Sequence, residues 1–145
     1  MFLQVKPLNE NVHLHSKGVA EIMFALSDGN PEMYILGMLH DTGKLYGREE
    51  HAENGAYMLR NMGFKYWQEV LHHGDPKSTY VSQELKWLNA ADLLVNSKGQ
   101  KIRCKDRLVD IGCRYGFDSD IYRKAEKLSL ILQDEIKKAE KIMKI

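Results

Sequence analysis

The chain has little proline, little cysteine and no long apolar run, and each shortage excludes something. Three prolines in 145 residues enforce few breaks, and no Val/Ile/Thr-rich alternating segment of the kind that makes strands is present. The two cysteines, Cys104 and Cys113, are nine apart. On a helix that spacing sets them on opposite faces, so neither a bridge nor a joint metal site is expected, and reduced thiols in the cytoplasm are. No apolar run approaches the roughly 18 residues of a membrane span, and "MFLQVKPLNE" lacks the basic-then-apolar form of a signal peptide. The net charge of +1 creates no field that would draw nucleic acid or a membrane surface, so any pull on anions has to be local. There is no repeat, low-complexity segment or linker. Gly-rich phosphate loops, nucleophile elbows and Cys-x-x-Cys pairs are missing too, which leaves those chemistries without support.

What is there is helical period nearly throughout. Hydrophobic residues make up 43% and charged residues 28%, enough for the core of one all-α domain over residues 1–145. A first helix is expected from about Asn11 to Ser27, with Val12, His15, Val19, Ile22, Met23 and Leu26 in one arc. "SDGNP" breaks it, and Asn30 with Pro31 opens a second helix, Glu32 to about His40, apolar on most sides. Further helices are expected at about His51–Met62, Phe64–His73, Ser82–Asn96 and Arg103–Tyr115. A seventh runs from Asp118 to the end, with Ile121, Ala125, Leu128, Leu132, Ile136, Ala139 and Met143 in one stripe. The expectation is a compact bundle of six to seven helices.

Function often sits where such a pattern breaks. His15 stands inside the first helix's apolar arc, and Asp92 stands between Leu85, Leu88 and Val95. An ionised carboxylate in an apolar face is costly unless a cation or donors meet it. Taken singly, Asp92 reads equally as a cap or half of a buried ion pair, and His15 as a hydrogen-bonded core residue. Taken together, His15, His40, Asp41, His51, His72 or His73, and Asp92 come from five helices or helix ends. Imidazole and carboxylate suit divalent first-row metals, and this set would fill two adjoining coordination spheres while leaving positions for water.

"HSKGVA" (15–20), "LHDTGK" (39–44), "HAENGAYMLRNMGF" (51–64), "VLHH" (70–73) and "NAADLL" (89–94) together resemble the HD-domain superfamily of metal-dependent phosphohydrolases, in the order H…HD…H…H…D. The resemblance spans about residues 11–96; residues of about 101–145, including "RLVDIGCRYGFDS", carry no catalytic signature and complete the core. It implies one metal held by His15, His40, Asp41 and Asp92, and a second held by Asp41, His51 and His72, with Asp41 bridging. Members with the extra histidines are similar to the dinuclear type. By position in the pattern His72 is the ligand, and His73 is left to bind substrate or a further metal. Two divalent ions, Fe or Mn, are implied; Co, Ni and Zn also suit such a site, and Mg suits a His-rich one less.

The implied reaction is hydrolysis of a phosphate ester or anhydride of a nucleotide or other small phosphorylated compound, by hydroxide activated at the two metals. Lys44, three residues past Asp41, could offer a phosphate a point charge; it reads equally as a solvated loop lysine. Arg48, Lys77 and Thr79 are weaker phosphate candidates on neighbouring loops. The ligand set looks similar to that of symmetrical dinucleoside tetraphosphate hydrolases. Cyclic-dinucleotide phosphodiesterases of the superfamily carry a GYP motif after the paired histidines, and "HHGDPKSTY" lacks it. Two other readings fit the same residues: a di-iron oxygenase on this scaffold, and a non-catalytic regulatory module with a structural metal. A homo-oligomer is compatible with all three.

Overall fold

In the computed structural model, which describes residues 10–46 and 51–145, the helical repeat becomes eight α-helices and one 3-10 helix among the described residues. The first helix, α1 (Glu10–Leu26), turns into α2 (Pro31–Leu39). Asn30 caps α2 by accepting the Glu32 N–H on Oδ1 at 2.9 Å, and Pro31 occupies the first position, where a missing N–H leaves no bond unmade. α1 and α2 pack closely because residue 37 is glycine: a Cβ there would fall 2.5 Å from the Cα of Ala20. This approach sets the end of α2, with His40 and Asp41, beside the inward face of α1.

A 3-10 helix (Thr42–Tyr46) follows, then α3 (His51–Asn61) and α4 (Trp67–His72), shorter than the 64–73 expected. The rest is α5 (Gln83–Asp92), α6 (Cys104–Tyr115), α7 (Asp120–Ile131) and α8 (Gln133–Met143). All eight helices contribute to one apolar cluster, with Val19, Ile22, Met23, Leu36, Leu88 and Leu94 fully buried at its centre. Each such leucine or isoleucine stabilises the fold by on the order of 1.5–3 kcal/mol. No strand occurs among the described residues, and no helix among them is long and apolar enough to cross a membrane.

Two expectations are corrected. α5 stops at Asp92 rather than running to Asn96. Asn96 instead accepts the N–H groups of Lys98 and Gln100 on its side chain at 3.0 and 2.9 Å, offering the backbone an alternative to the helix. The chain reverses there, with a bridge between Val95 and Lys101. Gly99, at φ +81°, makes the turn possible, and a Cβ on it would meet the carbonyl oxygen of Leu14 at 2.6 Å, so the turn presses directly on α1. The expected final helix is two helices, broken at Leu132 (φ −105°, ψ 25°). The break lets α7 pack on α6 while α8 packs on α1 and α5; the apolar stripe continues across it because both segments face the same core.

Candidate metal centre

Four helix segments deliver the polar residues that interrupt the apolar faces. His15 comes from the inward side of α1, His40 and Asp41 from the end of α2, His73 from just past α4, and Asp92 from the last position of α5. His15, His40, Asp41 and His73 are buried and Asp92 is half-buried. One ligand atom from each of His15, His40 and Asp41 lies within 4.8 Å of the others. Asp41 Oδ2 is 3.3 Å from His40 Nε2 and 3.7 Å from His15 Nε2, while Oδ1 is 3.5 Å from His73 Nε2. Asp92 Oδ1 closes the group at 2.7 Å from His15 Nε2 and 3.6 Å from His40 Nε2.

The three imidazoles are oriented in one way. Each turns Nδ1 to a backbone carbonyl: His15 to Asn96 at 3.1 Å, His40 to Gly37 at 2.6 Å and His73 to Val70 at 2.5 Å. A carbonyl oxygen only accepts, so Nδ1 carries the proton and Nε2 is the nitrogen presented to the centre, as metal-ligating histidines require. The reversal after α5 supplies one of these carbonyls, which is why its position matters to the site. His40 Nε2 is fully buried and makes no hydrogen bond, although two carboxylates stand near it.

Charge explains what that orphaned nitrogen is for. Burial works against an imidazolium at His40, yet the carboxylates of Asp41 and Asp92 overcome it and carry its pKa up to about 10. Burial likewise pushes the Asp92 carboxyl up, and the hydrogen bond from His15 together with the charge of His15 and His40 holds it well below the usual carboxylate range. The cluster therefore favours positive charge between its carboxylates and rings. A divalent cation meets that demand with nitrogen and oxygen donors it prefers, so the residues present fit a metal.

A second network braces α4. Glu69 is buried, and its Oε2 accepts Tyr80 Oη–H at 2.7 Å and Ser82 Oγ–H at 2.8 Å. Burial first, then the Glu69 carboxylate, pushes the Tyr80 phenol up to about 12, keeping it a donor. Asn89 Oδ1 accepts the Gly74 N–H at 2.8 Å and so fixes the chain immediately after His73.

Against the residues singled out from the sequence, the structure brings His15, His40, Asp41 and Asp92 together. At the paired histidines it brings His73, and not His72, to Asp41. The His72 ring stacks on Tyr80 at 5.1 Å, and its Nδ1 lies 2.9 Å from Ser78 Oγ. α4 ends between the two, so neighbouring side chains diverge. Lys44 Nζ sits 3.2 Å from Asp41 Oδ2, partly exposed. Lys77 and Thr79 are exposed and make no hydrogen bond or ion pair to the cluster. The His51 side chain and Arg48 lie outside the described residues. Sequence reasoning missed the Asn96, Gly37 and Val70 carbonyls, which have no side-chain signal, and Arg107, whose guanidinium reaches the Asp92 carbonyl.

The eight α-helices of the described residues, set around a buried His/Asp cluster, define an all-α protein with a metal-type polar centre. The family model for the HD domain matches residues 12–116. The chain belongs to the HD-domain family, within the superfamily of metal-dependent phosphohydrolases. The match runs beyond the expected 96 and includes α6. No curated protein and no solved structure matches the chain.

Proposed function

We propose that this chain is a dinuclear metal-dependent phosphohydrolase acting on a nucleotide or another small phosphorylated compound. The observation that carries the reading is the convergence of three Nε2 atoms on the two oxygens of one buried aspartate. Oδ2 of Asp41 faces His15 and His40, and Oδ1 faces His73, an arrangement suited to a bridging carboxylate. His15, His40, Asp41 and Asp92 would hold one ion, and Asp41, His73 and His51 the other. Iron or manganese suits these donors best, with cobalt, nickel and zinc next and magnesium last.

When bound, such ions make a nucleophile from water at neutral pH and neutralise phosphoryl oxygens. The chain's own residues do the rest. The carbonyls of Asn96, Gly37 and Val70 hold the rings in register. Lys44, beside Asp41 and partly exposed, would offer its charge to a phosphoryl oxygen entering from solvent. His72, held by Ser78 and stacked on Tyr80, keeps a partly exposed edge that would meet substrate beside the centre.

The test is metal content by mass spectrometry on protein purified without added metal, then anaerobic assay with Mn²⁺ against nucleotides, dinucleoside polyphosphates and simple phosphate esters. Release of phosphate or nucleotide without O₂ is expected. Strict dependence on iron and O₂ would replace hydrolysis with oxygenation, and bound metal without turnover across the panel would leave a regulatory module.

A further inference from the structure

The last third of the chain showed no signature of its own, yet α6 reaches the backbone of one residue of the centre, Asp92. Arg107 is largely buried, its side chain 14% exposed, with Nε 3.4 Å from the backbone carbonyl of Asp92 and Nη1 2.8 Å from Asp110 Oδ2. Asp92 is the final residue of α5, where carbonyls lose their helical partners. The N–H groups of Leu93 and Leu94 take up the carbonyls of Asn89, Ala90 and Ala91. The Asp92 carbonyl is met by Arg107. Resting on the metal-centre reading above, we infer that Arg107, anchored by Asp110, is a positioning residue for the metal site: it fixes the backbone of Asp92 so that its carboxylate stays aimed at His15 and His40.

The chemistry requires arginine at this place. Its planar fork donates to two acceptors in fixed directions at once, here a carbonyl and a carboxylate. Lysine would keep the charge near the negative end of α5 but could not hold both. Only two side-chain torsions separate the Asp92 backbone from Oδ1, which lies 2.7 Å from His15 Nε2. A backbone held at its carbonyl therefore holds the ligand oxygen.

The experiment measures Mn²⁺ affinity and the visible spectrum of the Co²⁺-loaded protein for the parent, Arg107→Ala, Arg107→Lys and Asp110→Asn, with circular dichroism to confirm folding. Removing an outer-shell partner typically weakens metal binding by about 10–100-fold. Arg107→Ala and Arg107→Lys are expected to lose at least about tenfold, with shifted Co²⁺ bands at saturation. Asp110→Asn, which keeps the arginine but loosens it, is expected to fall between them and the parent, and it carries the test if Arg107→Ala does not fold. Parent-like affinity and spectrum in folded Arg107→Lys would overturn the inference, since charge alone would then suffice. A parent that binds no Mn²⁺ or Co²⁺ would overturn the metal-centre reading itself, a different result from parent and variants binding alike.

Discussion

At the scale of the residue, adjacent histidines make the sharpest comparison. His73 Nε2 is 3.5 Å from Asp41 Oδ1, while His72 is engaged by Ser78 and Tyr80. His73→Ala is therefore expected to lose at least half of the bound metal, and His72→Ala to keep the parent's metal content while activity falls. Metal analysis of the two variants checks this, and the reverse pattern would restore His72 as the ligand. Asp41→Ala, which removes both oxygens at once, is expected to bind no metal. The thiols test burial independently. The Cys104 thiol is pushed up to about 11 by burial and then by Glu140, whereas Cys113 is exposed. At pH 8 the Cys104 thiolate is scarcer than that of a free cysteine, near 8.5, so the native protein should react with one equivalent of a thiol reagent and the unfolded protein with two. Two fast-reacting thiols in the native state would mean that α6 does not dock as described.

At the scale of the element, the turn after α5 joins fold and site. It carries the Asn96 carbonyl to His15 Nδ1 and lays Gly99 against α1. Gly99→Ala places an alanine at φ +81° with its Cβ 2.6 Å from Leu14 O. The left-handed backbone alone costs about 1–2 kcal/mol, a Tm fall of roughly 3–6 °C, and the displaced carbonyl should weaken Mn²⁺ binding about tenfold. Gly116→Ala, also at positive φ but with nothing within 4 Å of the added Cβ, should lower Tm and leave metal affinity unchanged. Equal affinity loss in both would reduce the Gly99 effect to general destabilisation. This turn also marks what the sequence could not disclose. His15 and Asp92 were legible because a polar group in an apolar arc breaks a period. Which of His72 and His73 faces Asp41 was not, because the helix ends at that pair and the period loses its phase. The carbonyl partners are backbone, and Arg107 sits on an amphipathic helix among other cations. The break at Leu132 was hidden for the opposite reason, since the apolar stripe runs through it intact.

At the scale of the whole molecule, the centre exists only when the chain is folded. His15 and Asp92 are 77 residues apart in sequence, and their partners come from α2 and the end of α4, so an unfolded chain has no comparable site. Metal binding must then appear as folding stability, increasing as RT ln(1 + [metal]/Kd) for each ion bound to the native state alone. One ion adds about 2.7 kcal/mol at a hundredfold excess over its Kd, which for a chain of this size raises Tm by roughly 8 °C. Well above Kd, each further tenfold of free metal adds about 1.4 kcal/mol per ion, so the slope counts ions. If Asp41 bridges two, denaturant unfolding at stepped free Mn²⁺ should gain stability at about twice the one-ion slope. Asp41→Ala should show almost none. His73→Ala, keeping only His15, His40, Asp41 and Asp92, should fall to the one-ion slope. A parent that already follows the one-ion line across the whole range would make the centre mononuclear, and the Asp41 oxygen facing His73 would then serve the fold and not a second cation.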